Sequence, residues 1–205
     1  MRPTRREMLA SAFALPLSFS LTTTQIIHGG TLLSDESARG FRLLLGSVSV
    51  PLIILPAAQT ISQPLALRLR HAALAGSWIL IESGLCFQAV SSWKQLNRVL
   101  RQAFRLEIAA PVPVRDRYIQ FEWPQRTLVR TFDAVTPISC APIELIAQLN
   151  GVPIAARRSM GRGGVIFLGS MLGPALAAQE REAHAVCSQI LRKIFRRYIQ
   201  NSTSQ

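Results

Sequence analysis

The sequence predicts an α/β fold, and the main indication is a pair of apolar runs separated by one helix-like segment. The runs are Pro51–Leu55 and Trp78–Ile81, and neither alternates with polar residues. A strand covered on both faces has this composition, as in a parallel sheet beneath helices. Since parallel strands need a crossover of about a dozen residues, the intervening segment has the length that a strand–helix–strand unit requires.

The segment between the runs carries the signals of a helix start and a helix end. Ser62 is a suitable N-cap, and Pro64 follows in the first turn, where its missing N–H costs nothing. Leu65 and Leu69 then fall on one face, and Gly76 can end the helix. Two more helices are predicted, one over residues 34–46 and one beginning near residue 92.

The second half of the chain predicts short strands and a closing helix. Tyr118–Trp123 alternates with period two, and Asn150-Gly151 is a strong hairpin turn. The glycines of residues 161–164 precede another apolar run and lack the spacing of a phosphate loop, so we interpret them as a second hairpin. We therefore expect an antiparallel β meander, followed by a C-terminal helix that begins near Pro174.

The first residues resemble a targeting segment. Arg5-Arg6 precede a mostly apolar stretch, which is typical of a twin-arginine signal. We predict a signal segment over residues 1–24, a single α/β domain over 25–200 and a frayed tail over 201–205. The protein would then be periplasmic or otherwise exported. If residues 1–24 belong to the fold, it would be cytoplasmic.

The chain is strongly basic, with a net charge of +12. Because no helix-turn-helix, zinc-finger or aromatic–basic RNA motif accompanies this charge, we interpret it as a solvated surface, and a nucleic-acid partner is not expected. A further hypothesis is that a C-terminal basic cluster binds a membrane surface or nucleic acid. That cluster comprises Arg192, Lys193, Arg196 and Arg197. Apart from the signal segment, no run is long enough to span a bilayer.

Cysteine usage indicates neither a disulfide framework nor a metal site. The three cysteines are Cys86, Cys140 and Cys187, and their spacing matches no zinc pattern. Burial as small apolar side chains is the expected state of all three. We predict no metal and no cofactor.

Candidate site residues come from the predicted strand ends. Ligands of open α/β sheets bind beyond the carboxyl ends of the strands. Here those ends carry Gln59 after the first strand and Glu82, Ser83 and Gly84 after the second. In the alternative interpretation these residues form an ordinary turn, with Glu82 accepting backbone N–H groups and Ser83 capping a helix.

Two segments together resemble the class I glutamine amidotransferase-like superfamily. These are the turn at residues 55–58, with the stretch Gly76–Gly84 that follows, and the late stretch Gly161–Ser170. The resemblance covers roughly residues 33–199. It implies a three-layer, flavodoxin-like and mostly parallel sheet. It also implies a nucleophile elbow near Cys86.

Departures from the superfamily pattern point to a member without the catalytic triad. The elbow motif lacks its last glycine, because Gln88 stands there, and Gly169–Leu172 carries neither the His nor the Glu of the superfamily. We therefore expect a non-catalytic domain that binds a small molecule or a protein at the strand ends. The alternative is a divergent hydrolase or amidase that uses Cys86 or Ser83 as nucleophile with Glu82.

Overall fold

The computed structural model describes most of the chain after residue 51 and a short piece before it. The described residues are 25–26, 52–85, 90–114, 118–132, 134–139 and 144–202. Their helices are α1 (Gln63–Ala75), α2 (Val90–Phe104), α3 (Gly173–Ala177) and α4 (Arg181–Ser202). Their strands are β1 (Gln25–Ile26), β2 (Leu52–Ala58), β3 (Trp78–Ser83), β4 (Val112–Pro113), β5 (Tyr118–Phe121), β6 (Thr127–Arg130), β7 (Ala134–Val135), β8 (Glu144–Leu149), β9 (Val152–Met160) and β10 (Gly163–Leu168).

The strand–helix–strand unit is present as the apolar runs predict. Strands β2 and β3 are parallel neighbours, and α1 connects them. The Ser62 side chain accepts a hydrogen bond from the Leu65 N–H, and Gly76 ends α1 with φ +129°, a conformation open to glycine. Every residue of β3 is buried, which explains why its sequence does not alternate.

The prediction of a mostly parallel, three-layer flavodoxin-like sheet is wrong. The sheet is mixed, with strand order β1-β2-β3-β10-β9-β8-β5-β6, and apart from the two-residue β1 it has seven strands that curl into a half-barrel. Parallel pairing is confined to β1–β2, β2–β3 and β3–β10. The remaining described pairings, from β10 through to β6, are antiparallel.

Short connections are the physical reason for the correction. Asn150 and Gly151 join β8 to β9, and Gly161 and Arg162 join β9 to β10. Two residues can reverse a chain, but they cannot carry it across a sheet to a parallel neighbour. The hairpins therefore extend the central sheet itself, and antiparallel pairings outnumber parallel ones.

Two apolar clusters lie on opposite faces of the sheet. On one face, α1 and α2 pack on alternate residues such as Ile79, Ile81 and Phe167. On the other face, α3 and α4 pack on the intervening residues such as Leu80 and Ile166. Alternate residues of one strand therefore serve different cores, as the period of two dictates.

Neither the signal segment nor the predicted helix over residues 34–46 can be compared with the structure, because residues 1–24 and 27–51 lie outside the described part. Strand β1 begins at Gln25 and pairs with β2, so the sheet includes the first residues after the predicted boundary. Export stays a prediction, and neither the structure nor any comparison supports the twin-arginine assignment. Among the described helices, none has the length and hydropathy to cross a membrane.

Candidate functional site

Glu82, at the end of β3, is fully buried and hydrogen-bonded to backbone N–H groups. Its Oε2 accepts from the Ala57 N–H at 3.1 Å. Its Oε1 accepts from the N–H groups of Leu172 at 2.6 Å and Gly173 at 3.4 Å. The carboxylate thus joins the end of β2 to the turn that precedes α3. Glu82 accepts backbone N–H groups, as the alternative interpretation predicts, and it braces the strand ends from within.

Ser83 is also buried, but it faces the opposite side of the sheet. Its Oγ lies 2.8 Å from Oγ1 of Thr136 and accepts from the Leu85 N–H at 3.4 Å. Since successive side chains of a strand point to opposite faces, Glu82 and Ser83 cannot meet as base and nucleophile. Ser83 binds the segment that crosses the strand end, and the predicted helix cap is not its role.

Gly84 is buried where two chain segments approach closely. Its N–H donates to the Ala58 carbonyl at 2.9 Å, and a Cβ at this position would lie 2.2 Å from the Ala57 oxygen. A glycine is needed there because the backbones leave no room for a side chain. Gln59 is exposed. The structure therefore buries three of the four candidate residues and leaves Gln59 in solvent.

Residues 131–132 and 134–139 pack against the ends of β3 and β10. The Thr136 N–H donates to the Gly169 carbonyl at 2.7 Å, and the Thr131 and Ser170 hydroxyls are 2.5 Å apart. Thr131, Thr136 and Ser170 are all buried. These contacts attach the segment to the ends of β3 and β10, and the strand-end site stays a prediction.

Cys187 is the one cysteine among the described residues, since Cys86 and Cys140 lie outside them. It is free and buried. Burial first, and the charge of Glu82 second, raise the pKa of the Cys187 thiol to about 12. A thiol with this pKa is protonated at neutral pH and is a poor nucleophile. The hypothesis of a Cys86 nucleophile stays untested.

Neither a metal site nor a catalytic histidine emerges from the described residues. No group of three or more described His, Cys, Asp or Glu side chains could hold a metal ion. His184, the only histidine after Cys86 in the sequence, has Nε2 3.2 Å from the Leu176 carbonyl. That contact indicates that the ring attaches α4 to α3.

A basic layer of helices is the most distinctive exposed feature of the described structure. Helices α1 and α2 pack on the same sheet face, and their sequences contain five Lys or Arg residues and no Asp or Glu. The five are Arg68, Arg70, Lys94, Arg98 and Arg101. We call them the basic helix layer.

Three members of the basic helix layer project into solvent from α2. Lys94, Arg98 and Arg101 are exposed, and no described acidic residue forms an ion pair with them. Arg70 is half-buried, and its Nε has no hydrogen-bond partner in the described structure. Nearby, Trp93 packs partly against the core. The three exposed side chains of α2 therefore present positive charge without a described acidic partner, on a helix that packs against the core.

The sequence interpretation missed this layer, although its signal was present. Lys94, Arg98 and Arg101 follow the spacing i, i+4, i+7, which places them on one helix face. The C-terminal cluster is the denser basic signal in the sequence, and the α2 row is more widely spaced. Neither α1 nor α2 contains an acidic residue. This shared absence becomes informative only when the fold shows that the two helices are neighbours.

Comparisons with known proteins inform the fold alone. No protein-family model and no curated protein matches the chain. A cytoplasmic protein from Salmonella typhimurium LT2 matches with a TM-score of 0.56 at 13% identity, over 94% of this chain and 88% of that one. This match supports the curled, mixed sheet over a flavodoxin-like one.

Two β-galactosidases also match, each over a small part of a much longer chain. A cold-adapted β-galactosidase from Rahnella sp. R3 matches with a TM-score of 0.52 at 13% identity, over 70% of this chain and 23% of that one. A β-galactosidase from Halorubrum lacusprofundi matches with a TM-score of 0.49 at 15% identity, over 68% and 23%. The chain spans less than a quarter of these galactosidases. None of the matches supports the amidotransferase-like resemblance, which stays untested.

Proposed function

We propose that this protein is a non-catalytic binding domain that recognises an acidic surface of a protein partner through the basic helix layer. The observation that carries the proposal is the charge of α1 and α2, five basic residues without one acidic residue. A row of like charges four residues apart slightly destabilises a helix. An acidic partner would relieve that repulsion, so binding and local stability would favour the same complex.

The spacing on α2 fits a partner that presents carboxylates in a row. Lys94 and Arg101 are seven residues apart, which corresponds to roughly 10 Å along a helix. Arginine can bind a carboxylate through two parallel hydrogen bonds, whereas lysine acts as a point charge. A helix or strand with acidic residues on one face would meet Lys94, Arg98 and Arg101 together.

A protein partner accounts for the layer better than a nucleic acid does. Proteins that bind single strands stack bases on exposed aromatic side chains. Trp93 lines the same surface depression as Lys94 and Arg98, but it is partly buried against the core, and α1 contains no aromatic residue. The layer therefore offers one partly buried ring and no row of exposed rings on which successive bases could stack.

The hydrolase alternative lacks a supporting observation. Ser83 and Glu82 are buried and face opposite sides of the sheet, so the Ser83–Glu82 pair is not assembled, and the Cys86 version stays untested. Three of the four candidate residues Gln59, Glu82, Ser83 and Gly84 are buried, and for that reason we place the binding site on the helix layer. Export remains part of the proposal only as an untested prediction.

Fluorescence anisotropy with a labelled Glu-rich helical peptide tests the proposal. A triple variant with Lys94→Gln, Arg98→Gln and Arg101→Gln should bind the peptide about tenfold more weakly, since each exposed pair contributes up to about 1 kcal/mol. The affinity of the native protein should also fall as salt is added, because exposed charges are screened.

A second triple variant provides the matched control. Arg181, Arg192 and Lys193 are exposed on α4, so Gln at these positions removes the same charge from the opposite face. This variant should bind the peptide within about twofold of the native protein. Equal losses in both variants would show that only net charge matters. If a single-stranded oligonucleotide of equal charge binds more tightly than the peptide, the proposed protein partner is wrong and the partner is a nucleic acid.

A further inference from the structure

A groove on the other side of the molecule lies beside β6, the last strand of the described sheet. Tyr118 and Leu128 form its apolar side. Its acidic side consists of Glu180, which directly precedes α4, and Glu182, in the first turn of α4. Arg130 also borders it. The groove is separate from the basic helix layer, which lies on the opposite face of the sheet.

Glu180 has one satisfied and one unsatisfied oxygen. Its Oε1 accepts from the Arg130 N–H at 3.0 Å. Its Oε2 is buried and has no hydrogen-bond partner in the described structure. A buried polar atom normally has a partner, and an orphan calls for an explanation such as a missing donor. Because this oxygen is buried, a donor in the groove reaches it once the Glu180 side chain turns toward the groove that it lines.

The two glutamates also lack a counter-ion within the described part of the chain. No described basic residue forms an ion pair with Glu180 or Glu182. Arg130 borders the groove, but its guanidinium lies over the Phe132 ring, 5.2 Å from the centroid. In a protein of net charge +12, the described lining of this groove carries two carboxylates against the single guanidinium of Arg130.

The apolar side of the groove suits the stem of a long cationic side chain. The exposed fractions of Tyr118 and Leu128 are 52% and 55%, which makes them the most exposed large hydrophobic residues described. Lysine and arginine place their methylene groups on apolar surface while the charged head stays polar. An aromatic ring adds attraction for the cation.

We propose that this groove binds a lysine or arginine side chain of a protein partner, with the stem on Tyr118 and Leu128 and the head at Glu180 and Glu182. Once the Glu180 carboxylate turns outward, the incoming N–H groups supply the donor that its Oε2 lacks. The site does not depend on the basic helix layer, and the two surfaces would bind groups of opposite charge.

NMR titration of the ¹⁵N-labelled full chain tests the proposal with the peptide acetyl-Gly-Arg-Gly-amide. The citrulline analogue is the matched probe, because it has nearly the same shape without the charge. The arginine peptide should shift the amide signals of Leu128, Arg130 and Glu182 in a saturable manner, and the citrulline peptide should not. Equal shifts with both peptides would overturn the proposal.

Variants locate the site. Glu180→Gln should weaken binding of the arginine peptide about fivefold, and Glu182→Gln, which is exposed and safe for folding, about twofold. Glu144→Gln removes one charge at a distant exposed position and should leave binding unchanged. Unaltered binding in both Glu180→Gln and Glu182→Gln would refute the proposal. If spermidine competes and binds more tightly than the peptide, the ligand is a free amine and the protein partner is excluded.

Discussion

At the residue scale, Glu82 shows how a buried charge can hold the framework of a fold together. It lies at the end of a central strand, where an α/β fold often places a functional group. Its two oxygens accept N–H groups from Ala57, Leu172 and Gly173. Those donors come from two separate segments, so the carboxylate fixes the distance between them. Such a residue resembles a catalytic acid in sequence and acts as a brace in structure.

Replacement of Glu82 by Gln should therefore destabilise the fold. The amide oxygen can replace one carboxylate oxygen, but the NH₂ group then faces a backbone N–H, which leaves donor against donor. We expect a loss of about 2–4 kcal/mol in the free energy of unfolding, as for a buried donor that loses a charged acceptor. Urea denaturation measures this loss.

Glu144→Gln is the comparison for that experiment. Glu144 is exposed and pairs with Arg157, so this variant should lose no more than about 1 kcal/mol. If both variants lose equally little, Glu82 is not a brace. The strand ends would then have to be reconsidered as a site.

At the element scale, the ends of β2 and β3 approach so closely that a side chain cannot stand between them. The register of the pair shifts between Leu55 and Ala58, and Ala57 adopts φ +48°. This bulge brings the Ala57 carbonyl against Gly84. A β-bulge re-aims backbone groups at a strand end, and here it turns the Ala57 N–H toward Glu82.

Two glycine substitutions separate steric exclusion from backbone strain. At Gly84 an added Cβ would meet the Ala57 oxygen at 2.2 Å, so Gly84→Ala should cost about 3 kcal/mol, near the upper end of overpacking. At Gly151 the φ is +79° and nothing lies within 4 Å, so Gly151→Ala should cost about 1 kcal/mol through strain alone. Thermal unfolding of both variants checks the order. A larger loss for Gly151→Ala would contradict this account.

At the scale of the whole molecule, local patterns in the sequence predict elements well and assembly poorly. The apolar run before Ser62 specifies a strand, and Ser62 and Gly76 specify the start and the end of a helix. Each of these signals depends only on residues that are close in the sequence. The Asn150-Gly151 turn likewise specifies its hairpin. Whether those hairpins extend the central sheet or lie apart depends on long-range pairing, which no local pattern contains. That is why the flavodoxin-like prediction is wrong although its central unit is present.

The surroundings of the candidate site depend on long-range packing for a related reason. The position of Glu82 and Ser83 at a strand end follows from sequence, but Glu82 is enclosed by residues 172–173 and Ser83 by Thr136, which lie far along the chain. Thr136 contacts Ser83 only because the chain returns across the strand end. The basic helix layer likewise requires α1 and α2 to be neighbours.

The stability of the whole fold should depend on alkaline pH through Cys187. The folded-state pKa of its thiol is about 12, above the ordinary value of 9.0. The unfolded chain therefore releases the proton first, and the stability that is fully present below about pH 9 decreases as the pH rises toward 12. The slope contributed by one such group is about 1.4 kcal/mol per pH unit.

Comparison of the native protein with Cys187→Ala isolates this contribution, because lysine and tyrosine titrate equally in both. Between pH 9 and pH 11, the free energy of unfolding of the native protein should fall by about 2–3 kcal/mol more than that of the variant. Urea denaturation at each pH gives both curves. The variant loses packing at every pH, so only the difference in slope is informative. Parallel curves would mean that the thiol is solvated in the folded protein, and that α4 does not seal the core beside Glu82.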